Sequence, residues 1–220
     1  MRAQVAVIFD DAGGSLEDLE EILAIGRPVT VAVLPGLRYS KEVAGRARAA
    51  GLDVFLHLPI EPDDSSKRLG PGGITSAMND EEIAAAVRAD LATVPGAIGV
   101  NNHMGSSGTT DERVMRAVLQ VVKEHGLIFV DSVTSDRSVA VSVAEEMGIP
   151  TGRRHVFLDN ADEPAAIRAQ LRRLIAVARR RGVAIGIGHA QRLTPAVLKE
   201  MLTEFDRQDI QLVPVSALVK

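Results

Sequence analysis

Apolar residues run together in short blocks along this chain, and several blocks stop at an acid or a histidine. Little polar alternation interrupts them, which is typical of β-strands buried on both faces of a parallel sheet. Five blocks end in side chains that can do chemistry: residues 5–11, 52–57, 97–103, 127–131 and 183–189. Because parallel-strand proteins bind ligands at the carboxyl ends of their strands, we expect these terminal side chains to meet at one rim.

Segments with helical periodicity and capping signals separate the apolar blocks. They predict helices after Ser15, from Ser40, from Asn79 or Asp80, after Thr109, over 138–147, over 164–181 and from Thr194. Further strands are predicted at 29–35, 155–158 and 210–218. A strand–helix unit repeated about seven or eight times predicts an α/β fold, a deformed or incomplete (β/α) barrel of about seven strands. Since no linker divides the sequence, we expect residues 1–220 to form a single domain.

Composition narrows the classes of protein to consider. The 220 residues are 46% hydrophobic and 25% charged, which is ordinary for a globular chain, and the formal net charge of −4 gives no reason to expect a nucleic-acid partner. The absence of cysteine excludes disulfides, thiolate zinc sites and a cysteine nucleophile. No apolar run is long enough to span a bilayer, and the chain enters a strand almost at once, so we expect a soluble chain without an export signal.

The strand-end residues are those of a metal-assisted hydrolytic site. Of the adjacent carboxylates of Asp10 and Asp11, one can bind a metal while the other takes a proton from water. His57 stands at the mouth of an apolar strand and is a natural neutral imidazole ligand. Glu61, four residues later, is a candidate further ligand or a partner of His57.

Residues 101–110 are rich in amides, hydroxyls and glycine. This stretch predicts that His103 binds a metal and that Asn101, Asn102 and Ser106 contact substrate, because such a loop exposes side-chain and backbone donors.

His189 follows an apolar strand that contains glycines, which leave space beside its backbone. We expect Asp131 to hold it in one tautomer, so that it serves as a general acid. Asp159 and Asn160 also follow a short apolar segment, and either a place in the pocket or a helix-capping role fits them.

Several of these stretches together resemble one family. IFDDAGG, VTVAVLP, FLHLPIEP, GVNNHMGS, FVDSVTS, RRHVFLDN and AIGIGHA are similar to motifs of the divergent polysaccharide deacetylases, distant relatives of the metal-dependent carbohydrate deacetylases. The resemblance runs from about residue 5 to residue 216. It implies a deformed (β/α) barrel and, if a leader has been removed, a place in the cell envelope or periplasm.

The resemblance also implies roles for the site residues. Asp11 corresponds to a ligand of a divalent metal, expected to be zinc, and Asp10 to the base, while His189, oriented by Asp131, would protonate the departing amine. The wider superfamily's second motif usually carries two histidines four residues apart, and here the pair is His57 and Glu61. We therefore expect His103 to be the third ligand, with Glu61 as the alternative, because imidazole suits zinc better than a mobile carboxylate.

These observations predict a metal-dependent hydrolase of amide bonds, specifically a carbohydrate N-deacetylase. The chain has no Trp and one Tyr, so it offers few aromatic faces for stacking against the rings of a long glycan. We therefore expect a small or oligosaccharide substrate. Two alternatives stay open: a metal hydrolase of another small amide or ester, and a non-catalytic barrel that binds a glycan or an envelope partner.

Overall fold

The structure is a computed structural model that describes residues 2–191 and 193–219. Its strands are β1 Ala3–Ala12, β2 Thr30–Val33, β3 Asp53–Ile60, β4 Gly99–Met104, β5 Ile128–Asp131, β6 Thr151–Arg153, β7 Val156–Phe157, β8 Val183–His189 and β9 Ile210–Leu212. Its α-helices are α1 Leu16–Leu23, α2 Ser40–Ala49, α3 Asp80–Thr93, α4 Glu112–Glu124, α5 Ala140–Glu146, α6 Pro164–Arg181 and α7 Leu193–Arg207.

The strands form one curled parallel sheet. Their order is β6-β5-β4-β3-β2-β1-β8-β7, and β9 pairs with the beginning of β1. Within the described residues no pairing joins β6 to β7, so the barrel stays open at that seam. The predicted α/β fold, an incomplete (β/α) barrel, is therefore confirmed. The sequence pattern missed β6, because this three-residue edge strand has no apolar run.

Each face of the sheet has its own apolar core. On β1, Val5, Val7 and Phe9 point outward and pack with the helices, while Ala6 and Ile8 point inward. The inner layer continues on the other strands and is closed by the C-terminal segment; its members include Ala32, Phe55, Val130, Ile185, Ile187, Val215 and Val219. Side chains alternate between the two faces along a strand, so this layer fixes which strand-end residues point into the barrel.

Local capping sets where several helices begin. Ser15 accepts hydrogen bonds from the first turn of α1, and Asn79 forms a capping box with Glu82 at the start of α3. The predicted cap of α4 was wrong by two residues: Thr109 lies in a 3-10 turn, and Asp111 accepts the hydrogen bond from Val114 N. In the described part of the chain, no helix combines the length and the apolar character needed to cross a membrane.

Asp90 on α3 is a buried acid away from the strand ends. Only 5% of the residue is exposed, and its Oδ2 atom has no hydrogen-bond partner in the described residues. Its carboxylate lies against Gly72, where an added Cβ would be 2.1 Å from Asp90 Oδ1. Burial raises the pKa of Asp90 to about 7. The folded protein therefore holds this proton more tightly than the unfolded chain does.

This shift predicts a pH-dependent stability difference. As pH rises from 3.8 to about 7, the raised pKa lowers the free energy of unfolding, because the folded state must ionise a buried acid. Asp90→Asn should leave the free energy of unfolding nearly unchanged near pH 4 and raise it by about 1–3 kcal/mol above pH 7. Urea unfolding across this range checks it, with Asp63→Asn on the exposed loop as control. An increase in the free energy of unfolding of Asp90→Asn at low pH alone would contradict the raised pKa of Asp90.

Candidate metal centre and active-site cleft

The inner layer of the barrel leads directly to the polar residues at the rim. On β1, Asp10 follows Ala6 and Ile8 on the inward face, and on β8, His189 follows Ile185 and Ile187. The same alternation places His57 after Phe55 on β3. Each of these residues is the next inward-facing position beyond the apolar inner layer, and their side chains therefore converge.

Asp11 joins them through a local break in the alternation. The pairing of β1 with β2 changes register between Phe9 and Ala12, as in a β-bulge. Asp11 has a φ of 61°, a backbone conformation that non-glycine residues rarely adopt. The bulge lets two consecutive carboxylates, those of Asp10 and Asp11, reach the same site.

Three side-chain atoms converge on one small gap. Asp11 Oδ1 lies 2.9 Å from His103 Nδ1 and 3.2 Å from His57 Nε2, and the two nitrogens are 3.2 Å apart. These spacings approach the edge of a tetrahedron, about 3.3 Å, for ligands about 2.0 Å from a zinc ion. Asp11 Oδ1 is buried, and at these distances it faces the two imidazole nitrogens. The donor set and its spacing therefore fit a divalent cation, and two imidazoles with one carboxylate suit zinc.

Charges within this cluster reinforce the need for a cation. Burial opposes ionisation of Asp11, but hydrogen bonds and charge from His103 and His57 outweigh it and hold the pKa of Asp11 well below its usual range. Burial disfavours the charged form of His57, yet Asp10 and Asp11 outweigh it and raise the pKa of His57. Positive charge in the gap is thus favoured by its surroundings.

Asn101 links a candidate ligand to a candidate base. It is fully buried; its Oδ1 lies 3.0 Å from His57 Nδ1, and its Nδ2 donates to Asp10 Oδ1 at 2.8 Å. The amide oxygen accepts the proton of His57 Nδ1, which leaves the Nε2 lone pair facing the gap. Sequence reasoning expected Asn101 to contact substrate, and this was wrong, because its polar atoms are engaged below the surface.

Asp10 is placed to act as a base. Only 4% of it is exposed, and burial raises its pKa despite the hydrogen bond from Asn101 and the charge of His57. Its Oδ2 lies 3.5 Å from His57 Nε2 and so borders the gap. A carboxylate with one oxygen anchored and the other beside a metal site is suited to accept a proton from water.

His189 faces the gap from β8, the neighbour of β1 in the sheet, and its partner is Asp159. Asp159 Oδ1 lies 3.1 Å from His189 Nδ1, while Oδ2 accepts from His189 N at 2.7 Å and from Thr194 Oγ1 at 2.6 Å. The hydrogen bond to Asp159, opposed by burial and aided by nearby carboxylates, raises the pKa of His189 to about 9. His189 Nε2 lies 3.7 Å from Asp11 Oδ2, so the protonated ring presents a donor to the site.

The expected pairing of His189 with Asp131 was wrong. Asp131 follows Phe129 on the outward face of β5, because Val130 is the residue that points into the barrel. Its carboxylate accepts hydrogen bonds from Val133 N at 2.7 Å and Ser138 Oγ at 2.7 Å. Asp131 therefore shapes the turn after β5 and does not reach His189.

Three other expected site residues have different roles. Glu61 accepts from Ser76 N at 2.8 Å and is outside the metal-ligand cluster found in the described residues. Asn102 borders the cleft, but its Oδ1 accepts from Ser132 N and its Nδ2 donates to Met104 O. Ser106 accepts from Asp63 N, so it ties two loops together away from the cleft lining. Direct substrate contact by Asn102 or Ser106 is not supported by these bonds.

The rim encloses a cleft of about 420 Å³. Beyond Asp10, His57, His103 and His189, its lining includes Met104, Ser132, Val133, Thr134, Arg154, Phe157 and Asn160. Sequence reasoning missed Arg154 and Phe157 as cleft residues and left Asp159 and Asn160 undecided. These four residues belong to the run RRHVFLDN, which is the sequence feature that could have pointed to them. The strand within this run is only two residues long and therefore shows no periodicity.

Comparisons with known proteins agree with this architecture. The family model described as divergent polysaccharide deacetylase matches residues 7–219. An uncharacterized protein of Haemophilus influenzae is 35% identical over 217 residues, 99% of this chain and 77% of that protein. The crystal structure of an uncharacterized protein from Agrobacterium tumefaciens is similar with a TM-score of 0.93 and 25% identity, covering 99% of this chain and 89% of that one. A CE4 family pseudoenzyme from Bacillus anthracis shares the fold, with a TM-score of 0.56, 16% identity and coverage of 99% and 65%.

The Asn101 geometry predicts how metal affinity responds to a change outside the ligand set. Asn101→Leu keeps the side chain's size but removes the acceptor for His57 Nδ1, so zinc affinity should fall about 10- to 100-fold. Calorimetric titration with zinc measures this. Thr30→Val is the matched control, because it removes another buried hydrogen bond, which Thr30 Oγ1 at the start of β2 accepts from Val215 N. Equal zinc affinity in Asn101→Leu and the unaltered protein would refute the positioning role.

The Asp159–His189 contact predicts a change that nuclear magnetic resonance can follow. In metal-free Asp159→Asn, the pKa of His189 should fall from about 9 toward 6.5, because the charged hydrogen-bond acceptor is lost. Titration of the imidazole ring protons reports it. Asp131→Asn should leave the His189 titration in place. The reverse pattern, with Asp131→Asn lowering this pKa, would show that the pairing is misassigned.

Proposed function

Since the chain belongs to the divergent polysaccharide deacetylase family, we propose that it is a metal-dependent hydrolase of amide bonds that removes N-acetyl groups from small saccharides. The observation that carries the proposal is the convergence of Asp11, His57 and His103 on one gap, with Asp10 and His189 at its border. A family resemblance alone gives the class of reaction, whereas this arrangement supplies each group the reaction needs.

Asp11, His57 and His103 would hold the divalent cation. When bound, such an ion polarises a carbonyl oxygen and makes water more acidic. The residues' own contribution is a ligand set held in place. Asn101 holds His57 from behind, and the bulge holds Asp11 in an unusual backbone conformation.

Asp10 removes the proton from the attacking water in this proposal. Asn101 anchors Asp10 Oδ1, which leaves Oδ2 as the atom that accepts the proton. Because burial raises the pKa of Asp10, its carboxylate is a stronger base than an exposed aspartate.

His189 delivers a proton to the departing amine. Asp159 keeps the imidazole charged near neutral pH and fixes its orientation, so Nε2 points toward the gap. The base and the acid thus lie on adjacent strands: Asp10 pairs with His189 in the β1–β8 register. Their pKa values are shifted in the directions that a proton relay at neutral pH requires.

The cleft supports a short saccharide as substrate. Its volume is about 420 Å³, and Phe157 is the single aromatic side chain other than histidine among its described lining residues, so it offers little surface for stacking several sugar rings. The alternative of a non-catalytic binding barrel is favoured by one observation, the shared fold with the Bacillus anthracis pseudoenzyme. Both candidate functions require the cleft, but only the deacetylase requires catalytic turnover.

Acetate release from N-acetylated oligosaccharides by zinc-loaded protein tests the proposal. Asp10→Asn should bind zinc as before and lose at least about 100-fold in kcat, because the base is gone while the ligands remain. His103→Ala should lose both zinc and turnover. His125→Ala, at the end of α4, is the control and should retain both.

The outcome separates the candidate functions. Turnover that depends on zinc, Asp10 and His103 supports the deacetylase. Saccharide binding that survives removal of the metal, without acetate release from any N-acetylated substrate, would instead identify a binding protein and overturn the proposed reaction.

A further inference from the structure

Arg154 is a half-buried cation in the wall of the cleft. Among the cleft-lining residues that the structure describes, it is the one arginine or lysine. It follows β6 at the open seam of the barrel, so its side chain belongs to the pocket itself. The activity proposed above assigns no task to this charge.

The guanidinium group is held in a fixed orientation. Nε donates to Ser132 O and Nη2 donates to Val133 O, both at 2.6 Å, and Cζ lies 5.0 Å from the centre of the Phe157 ring. Backbone carbonyls and an aromatic face orient the group but do not neutralise its charge. Within residues 2–191 and 193–219, Nη1 has no hydrogen-bond partner.

No carboxylate in the described parts of the chain forms an ion pair with Arg154. The acids whose charges act on Arg154 are Asp131, Asp10 and Asp136, and none of them is ion-paired with it; the first two have their hydrogen bonds elsewhere, to Val133, Ser138 and Asn101. A half-buried cation without an anionic partner is costly, and such charges in proteins are usually paired. The missing partner is therefore best supplied by a ligand.

The position of Arg154 limits where that anion can be. Phe157 contacts both Arg154 and His189, with its ring centre 5.0 Å from the guanidinium carbon and 5.5 Å from the imidazole centre. Together these spans limit the separation to about 10.5 Å. Asn160, also in the lining, has no side-chain hydrogen bond to the described residues and adds a neutral donor. The anion must lie on the same sugar unit as the reacting amide or on the next one.

We propose that the cleft selects substrates bearing a carboxylate close to the N-acylated amine, and that Arg154 Nη1 binds this carboxylate. The inference rests on the proposed function and narrows its substrate to acidic N-acetylated sugars. A single guanidinium offers one positive charge and a planar edge, which matches a monoanionic carboxylate.

Binding, measured apart from turnover, tests the proposal. N-acetylmuramic acid and its neutral carboxamide form a matched pair, because they differ in the charge of one group. Calorimetry on zinc-loaded protein should show at least tenfold tighter binding of the acid, with a preference that shrinks as ionic strength rises. The preference should persist after zinc is chelated, since Arg154 and not the metal supplies it.

Two variants locate the effect. Arg154→Gln should abolish the preference for the acid, whereas Arg153→Gln, an exposed neighbour on β6, should keep it. Equal affinity of the unaltered protein for acid and carboxamide would overturn the proposal, even if Arg154→Gln failed to fold. A preference that survived in Arg154→Gln, or that vanished on chelation, would overturn it as well. Because no outcome depends on acetate release, failure of the deacetylase reaction is recognised separately.

Discussion

Mutual repulsion of three electron-rich atoms is the constraint on which the rest of the site depends. Asp11 Oδ1, His57 Nε2 and His103 Nδ1 lie within 3.2 Å of one another, and the side chains that carry them are partly or fully buried. In a medium of low dielectric, such a cluster is stable only if a proton or a metal cation lies between its members. The Asn101 contact, which leaves the His57 Nε2 lone pair facing the gap, favours the metal.

Strained backbone conformations are concentrated around the cleft. Of the four non-glycine residues with positive φ in the described chain, Met104 and Val133 line the cleft, Asp11 belongs to the candidate ligand set, and Asp209 is elsewhere. Each such conformation costs about 1–3 kcal/mol. The surrounding hydrogen bonds compensate for it at Val133, where Asp131 accepts from the amide and Arg154 donates to the carbonyl. This rigid wall keeps Arg154 and the site residues in place without a ligand.

Much of the fold followed from residue patterns, because buried parallel strands are continuous apolar runs that end at a common rim. Asp10, Asp11, His57, His103 and His189 could be named in advance for that reason. The hydrogen-bond partners of these residues could not be named in advance, because a shift of one residue along a strand moves a side chain to the other face of the sheet. Asp131 points outward behind Val130, whereas Asp159 follows a strand too short to recognise. Asn101 was assigned to substrate because its burial depends on neighbours from β1, β3 and the residue after β5, which no local pattern reveals.

The most direct test of the metal centre is an anomalous diffraction measurement at the zinc absorption edge, on crystals grown with zinc. We expect one strong peak about 2.0–2.2 Å from Asp11 Oδ1, His57 Nε2 and His103 Nδ1, with Asp10 beside it and uncoordinated. Saturating zinc that leaves this gap without an anomalous peak, or a peak bound by Glu61 in place of His103, would contradict the proposed ligand set.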